Sequence, residues 1–128
     1  METRTVGHMQ FVLDLSLPIY EQMVNQIQRM IARGEVELGM KLPSVRDMAV
    51  QLKINPSTVV RAYQELEREG LCEKRRGQGT FITSSQAKVE EVKKQLAAEA
   101  LHSFIENMRS LGITKELAQK WLEEAEWE

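Results

Sequence analysis

Cysteine, histidine and long apolar runs are nearly missing from this chain of 128 residues. The one cysteine, Cys72, cannot form a disulfide framework or a thiolate metal site. Between Leu71 and Glu73 it reads as a small, half-buried strand residue. Of the two histidines, His8 falls in a suspect N-terminal stretch and His102 stands alone on a helix. Neither has the neighbours that catalysis or metal binding requires, and there is no phosphate loop or dinucleotide fingerprint. No segment approaches the roughly 20 apolar residues of a membrane span. The N-terminus lacks the basic-then-apolar pattern of a secretory signal. These absences argue against an enzyme, a metal or cofactor carrier and a membrane protein, and place the chain in the cytoplasm. Gly7-His8-Met9 reads as a cloning remnant with native sequence beginning near Met9, so residues 1–9 are set aside.

Net charge is −2, but it is unevenly spread. Between Lys41 and Ile82 eight bases face five acids, a balance of +3; from Thr83 onward six bases face nine acids, a balance of −3. A basic middle and an acidic tail suggest a polyanion-binding part joined to a part with another role.

Phe11, Leu13, Leu15 and Leu17 alternate, as in a short strand or extended arm. After Pro18, the recurrence of Tyr20, Met23, Val24, Ile27, Met30 and Ile31 predicts an amphipathic helix to Arg33, stopped by Gly34. Ser44, with Asp47 three residues on, predicts the capped start of a second helix whose apolar face is Val45, Met48, Ala49 and Leu52. The turn Lys53-Ile54-Asn55 leads to a third helix, with Asn55 as its cap and Pro56 in its first position. Val59, Ala62, Tyr63 and Leu66 form its buried stripe, and Gly70 ends it. Two short helices joined by a tight turn make a helix-turn-helix. Leu71–Arg75 and Thr80–Thr83 then read as strands around the tip Arg75-Arg76-Gly77-Gln78-Gly79, the wing of a winged helix.

Beyond Ser85 the helical period returns. Val89, Val92, Leu96, Ala100, Phe104, Met108 and Leu111 run over about seven turns. Gly112 breaks the run, and Thr114 caps a last helix bearing Leu117, Trp121, Leu122 and Ala125. The fold class is therefore mostly α with a small β wing: a winged helix-turn-helix domain over 10–84 and a two-helix tail over 85–128.

On the third helix, Ser57, Arg61, Gln64 and Arg68 share a face away from the apolar stripe. These residue types contact phosphates and base edges. Ser57 and Thr58 lie in the first turn, where a recognition helix meets DNA. The competing reading is a solvated face closed by Arg61–Glu65 and Glu65–Arg68 pairs. The acids Glu65, Glu67 and Glu69 restrict the DNA surface to the N-terminal half. Arg46 offers another phosphate or base contact, with an ion pair to Asp47 or Glu35 as its alternative. The basic tip after Lys74 suits a phosphate backbone or a minor groove.

The run LPSVRDMAVQLKINPSTVVRAYQELEREGLCEKRRGQGTFI, residues 42–82, resembles the DNA-binding domain of the GntR family of bacterial transcription regulators. The stretch PIYEQMVNQIQRMIARGEVELGMKLPSVR, residues 18–46, is similar to that family's first helix and connecting turn. The NPSTVVRAY form resembles the YtrA-type subgroup. The resemblance implies a homodimer that binds double-stranded DNA at palindromic operators, usually as a repressor. Combined with the residue reading, it gives an expected DNA-contacting set of Ser44, Arg46, Asn55, Ser57, Thr58, Arg61, Gln64, Arg75, Arg76, Gly77, Gln78 and Gly79.

About 43 residues follow Ser85, too few to enclose a metabolite pocket of usual size. The tail stripe instead predicts dimerisation through Val92, Leu96, Ala100, Phe104, Met108, Leu117 and Trp121, with Trp127 also a packing residue. No cofactor is expected. Two other readings remain at this level: a small effector held between tail and winged domain, and a winged helix serving only as a protein-interaction module.

Overall fold

The computed structural model describes residues 1–128 and divides them into two compact units, Met1–Val92 and Lys93–Glu128. The first unit opens with strand β1, Glu2–Val6, antiparallel to β2, Met9–Leu13. Residues 2–9, set aside in the sequence reading, are thus part of the packed unit. The Val6 and Met9 side chains are buried, and Arg4 donates a hydrogen bond to the Leu52 carbonyl at the end of the second helix. The strand reading of 11–17 is also shortened. Phe11 and Leu13 are fully buried, but Leu15 and Leu17 are exposed. The chain turns after Leu13: Ser16 donates both its N–H and its hydroxyl to the Asp14 carboxylate, and Leu17 N–H donates to the Asp14 carbonyl. Those Ser16 bonds, the side-chain one foremost, hold the Asp14 carboxyl below the usual carboxylate range.

Removing residues 1–8 is therefore expected to cost stability. It strips the buried Val6 and the charged donor on the Leu52 carbonyl, together worth about 3–6 kcal/mol. Thermal melting of the truncated chain tests this; an unshifted midpoint would return the segment to the status of a dispensable tail.

Helix α1, Ile19–Ala32, buries Met23, Val24, Ile27, Met30 and Ile31 and packs against α3. The apolar spacing is enough to orient it. Helix α2, Val45–Leu52, starts at Ser44, whose Oγ accepts from Asp47 N–H at 3.0 Å. Only this half of the capping box forms. Helix α3, Pro56–Arg68, starts at Asn55, whose Oδ1 accepts from Ser57 N–H at 2.9 Å. The three-residue link between α2 and α3 begins with Lys53 at φ 58°, a left-handed conformation in a non-glycine residue. Gly70, at φ 81°, ends α3: its N–H donates to the Glu67 carbonyl and that of Leu71 to the Leu66 carbonyl. This double closure satisfies carbonyls that the helix end leaves open.

Strands β3, Cys72–Arg75, and β4, Gly79–Ile82, pair antiparallel with Arg75 opposite Gly79. The loop before α2 adds to this sheet. Leu42 N–H donates to the Thr80 carbonyl and Ile82 N–H to the Met40 carbonyl, both at 2.8 Å, around a Lys41–Phe81 bridge. The wing is thus tied to the segment that launches α2. Cys72 is buried outright, and burial, followed by Glu67 and Glu69, pushes its thiol up to about 12. It is a packing residue with no thiolate character at neutral pH.

Helix α4, Gln86–Ser110, begins in the first unit, where Val89 and Val92 are buried. Gly112 follows at φ 74°, and α5, Lys115–Glu124, starts at Thr114, whose Oγ1 accepts from Leu117 N–H. Within the second unit Leu96, Phe104, Met108, Ile113 and Leu117 are half-buried and Ala118 is buried. No helix is long and apolar enough to cross a membrane.

Candidate nucleic-acid interface

Helix α3 is held by its apolar stripe: Val59, Ala62 and Leu66 are fully buried and Tyr63 almost so. Tyr63 also donates its hydroxyl to the Pro43 carbonyl at 2.8 Å, which ties α3 to the loop before α2. Burial, with a smaller contribution from Cys72, raises its pKa above the usual phenol value, so the hydroxyl keeps the proton it donates. With that stripe inward, Ser57, Arg61, Gln64 and Arg68 are exposed and Thr58 is half-exposed.

The polar face differs from a row of helix ion pairs. Arg68 pairs with Glu65 three residues back, and this bond holds the Glu65 carboxyl below its ordinary range. Arg61 does not join them. Its guanidinium carbon lies 3.7 Å from the centroid of the Tyr20 ring, and its Nη2 donates to the Tyr20 hydroxyl at 3.1 Å. Tyr20 was expected on the apolar face of α1. It sits instead at the half-exposed start of that helix, with its polar tip turned to α3. The signal available in the sequence was its place beside Pro18, in the first turn, where a tyrosine can pack its ring and keep its hydroxyl wet.

The cap residues have a double position. Ser44 and Asn55 are exposed, yet each already accepts a backbone N–H. Ser57 Oγ also donates to Asn55 Oδ1 at 2.9 Å. Arg46 is exposed in the first turn of α2, and neither alternative partner takes it: Glu35 pairs with Arg33 at 2.7 Å, and Asp47 forms no ion pair.

At the wing tip, Gln78 N–H donates to the Arg75 carbonyl at 2.9 Å, with Gly77 between them at φ 77°. A Cβ at Gly77 would meet nothing, so the glycine serves the left-handed turn and leaves the tip backbone open to a ligand. Lys74, Arg75, Arg76 and Gln78 are exposed. Arg75 stacks over Phe81, 4.1 Å from its centroid, and lies 3.8 Å from Glu73. Arg76 has no carboxylate near it. Sequence reasoning left out two residues that shape this wing: Phe81, the platform for Arg75, and Lys41, whose Cε stands 3.0 Å from where a Gly79 Cβ would be.

The proposed dimerisation residues fall into three groups. Val92 is buried in the first unit and has little surface to offer. Leu96, Phe104, Met108 and Leu117 are half-buried, while Ala100 and Trp121 are exposed. Leu101, Ile105, Leu111 and Leu122, of which the first two belonged to no expected stripe, are also exposed, and Trp127 is almost wholly so.

The family described as bacterial regulatory proteins, gntR family, matches residues 19–82, from the first residue of α1 to the last of β4. The chain is 50% identical over 101 residues to the uncharacterized HTH-type transcriptional regulator YhcF of Bacillus subtilis, covering 79% of this chain and 84% of that protein. It is 39% identical over 110 residues to the HTH-type transcriptional repressor YtrA of the same organism, covering 85% of each. Among solved structures, a GntR family transcriptional regulator from Listeria monocytogenes superposes with a TM-score of 0.82 at 38% identity, over 89% of this chain and 100% of that one.

Proposed function

The chain belongs to the GntR family, whose members are DNA-binding transcriptional regulators and not enzymes, and from that premise we propose that it acts in the cytoplasm as a homodimeric repressor on a palindromic operator. The observation that carries this reading is the polar face on the N-terminal half of α3, where Ser57 and Arg61 are exposed, Thr58 is half-exposed and Arg61 stays outside the Arg68–Glu65 pair. A helix of this kind enters the major groove by its N-terminal end. Base edges there are read by bidentate donors such as arginine. Arg46 and the wing tip add cations for the sugar-phosphate backbone, which fix register and supply sequence-independent affinity.

The second unit supports the dimer. Exposed Leu101 and Ile105 lie one turn apart on α4, and Trp121 and Leu122 are exposed on α5. An apolar surface of this kind on a short helical pair asks for a partner, and a second copy of the chain on a two-fold axis is the common solution, which supplies one α3 for each half-site of a palindrome. Repression would follow from occupying a promoter and excluding polymerase; the name of the YtrA relative supports that sign.

The test is fluorescence anisotropy of the full chain on DNA upstream of its own operon, against a scrambled duplex, over a salt series. Preference for the first DNA with a steep salt slope supports the reading. Equal weak binding to both would remove sequence specificity, and no binding at low salt would favour a protein partner. Arg61→Ala is expected to lower affinity for the preferred DNA by about 1–3 kcal/mol while affecting scrambled DNA less. Equal losses on both would assign Arg61 to phosphate.

A further inference from the structure

We propose that Tyr20 is a specificity residue for DNA recognition that acts by positioning Arg61, an assignment that rests on α3 contacting DNA. Arg61 and Tyr20 are 41 positions apart and belong to different helices, yet the guanidinium is held twice, by the ring face and by the hydroxyl. The hydroxyl is itself oriented. It donates to Glu21 Oε1 at 3.2 Å, which turns a lone pair toward Arg61. The chain Glu21–Tyr20–Arg61 therefore fixes a side chain that would otherwise sample many rotamers.

The choice of partner matters as much as the restraint. Glu65 lies one helical turn from Arg61 and would be its ordinary ion-pair partner. Arg68 takes that carboxylate instead. A pair with Glu65 would hold Arg61 but cancel its charge. Tyr20 holds it and leaves the charge whole. The ring contact and the single Nη2 bond leave the other guanidinium N–H groups of Arg61 without a partner in the chain, donors that can read guanine or grip a phosphate. Arg61 and Tyr20 also form a wall shared by two shallow grooves. One, of about 270 Å³, is lined by Pro18, Ile19, Tyr20, Ser57, Thr58 and Arg61; the other, of about 290 Å³, also carries Gln64, Glu65 and Arg68. A base edge or phosphate lying in either groove meets Arg61 in the position that Tyr20 sets.

Immobilising a rotamer-rich side chain before binding is worth about two- to tenfold in affinity. The experiment uses the full chain and the DNA that the wild-type chain itself selects from a random duplex pool, with a scrambled version as reference. Tyr20→Leu should reduce the preference for selected DNA by about two- to tenfold per half-site, with affinity for scrambled DNA unchanged within about twofold. Tyr20→Phe, which keeps the ring, should lose less. In the Arg61→Ala background Tyr20→Leu should add nothing, because the residue acts only through Arg61. Melting curves identify any variant that has lost its fold, and Tyr20→Phe carries the test if Tyr20→Leu has. Losses that add up in the double variant, equal losses on both DNAs, or a gain in preference on removing the ring each overturn the assignment. A wild-type chain that selects no DNA removes the regulator reading and this assignment with it. Wild-type preference with additive losses removes the assignment alone.

Discussion

Reversing the charge of the wing tip, with Arg75→Glu and Arg76→Glu together, is expected to weaken binding to every duplex by about a hundredfold or more, taking each charged contact at about 1.5–3 kcal/mol. The loss should not depend on sequence, because a tip that follows the backbone carries register and affinity but no base code. The slope of log affinity against log salt should fall by about 0.9 for each phosphate contact removed, close to two per wing. Folding should be nearly unaffected. Both side chains are exposed, Gly77 still makes the turn, and the change forfeits only the stacking of Arg75 on Phe81 and its loose approach to Glu73. An unchanged salt slope would show that the wing does not touch DNA. Loss of preference without loss of general affinity would instead assign the tip to base readout.

Replacing Leu101 and Ile105 by glutamine is expected to produce a monomer. Both side chains are exposed on α4, so the substitutions disturb the chain's own packing less than a change at a buried position would, and glutamine is a good helix former without charge. Across a two-fold axis each residue counts twice, and each buried aliphatic side chain is worth about 1.5–3 kcal/mol. Sedimentation equilibrium at micromolar concentration should report the single-chain mass. Affinity for a palindromic site should then drop by about 10²–10⁴, since the second half-site is no longer reached intramolecularly. A variant that stays dimeric would move the interface elsewhere, to Trp121 and Leu122 or to the half-buried Phe104 side. Neutral substitutions keep this experiment separate from the first one: the phosphate electrostatics per chain are untouched.

The two experiments test features that were unequally legible. The wing was visible as a change of period after Gly70 and as a basic cluster between glycines. The outward tail residues were not. Phe104 and Met108 lay on the expected stripe but are half-buried in the chain, whereas Leu101 and Ile105, next to that stripe, are left outside. A helix twenty-five residues long with apolar residues on more than one side does not declare which side its neighbour will cover. The packing of residues 1–9 was illegible for a similar reason. A strand of five residues, Glu2–Val6, has too little pattern of its own, and its warrant is the partner strand and the Leu52 carbonyl it meets.

By itself the sequence determined the order of the elements from α1 to α5, the helix starts at Ser44, Asn55 and Thr114, the stops at Gly70 and Gly112, and the basic hairpin between β3 and β4. These signals act within about four residues, where capping bonds, turn conformations and apolar spacing are decided by the chain's immediate neighbours. Only the tertiary structure decided that Val6 of β1 belongs to the core, that Lys41 borders the wing at Gly79, and that Arg61 is held by Tyr20 while Glu65 goes to Arg68. Each of those depends on which helix faces which. The packing of α1 on α3 brings together side chains 41 positions apart, and no local preference carries information over that distance.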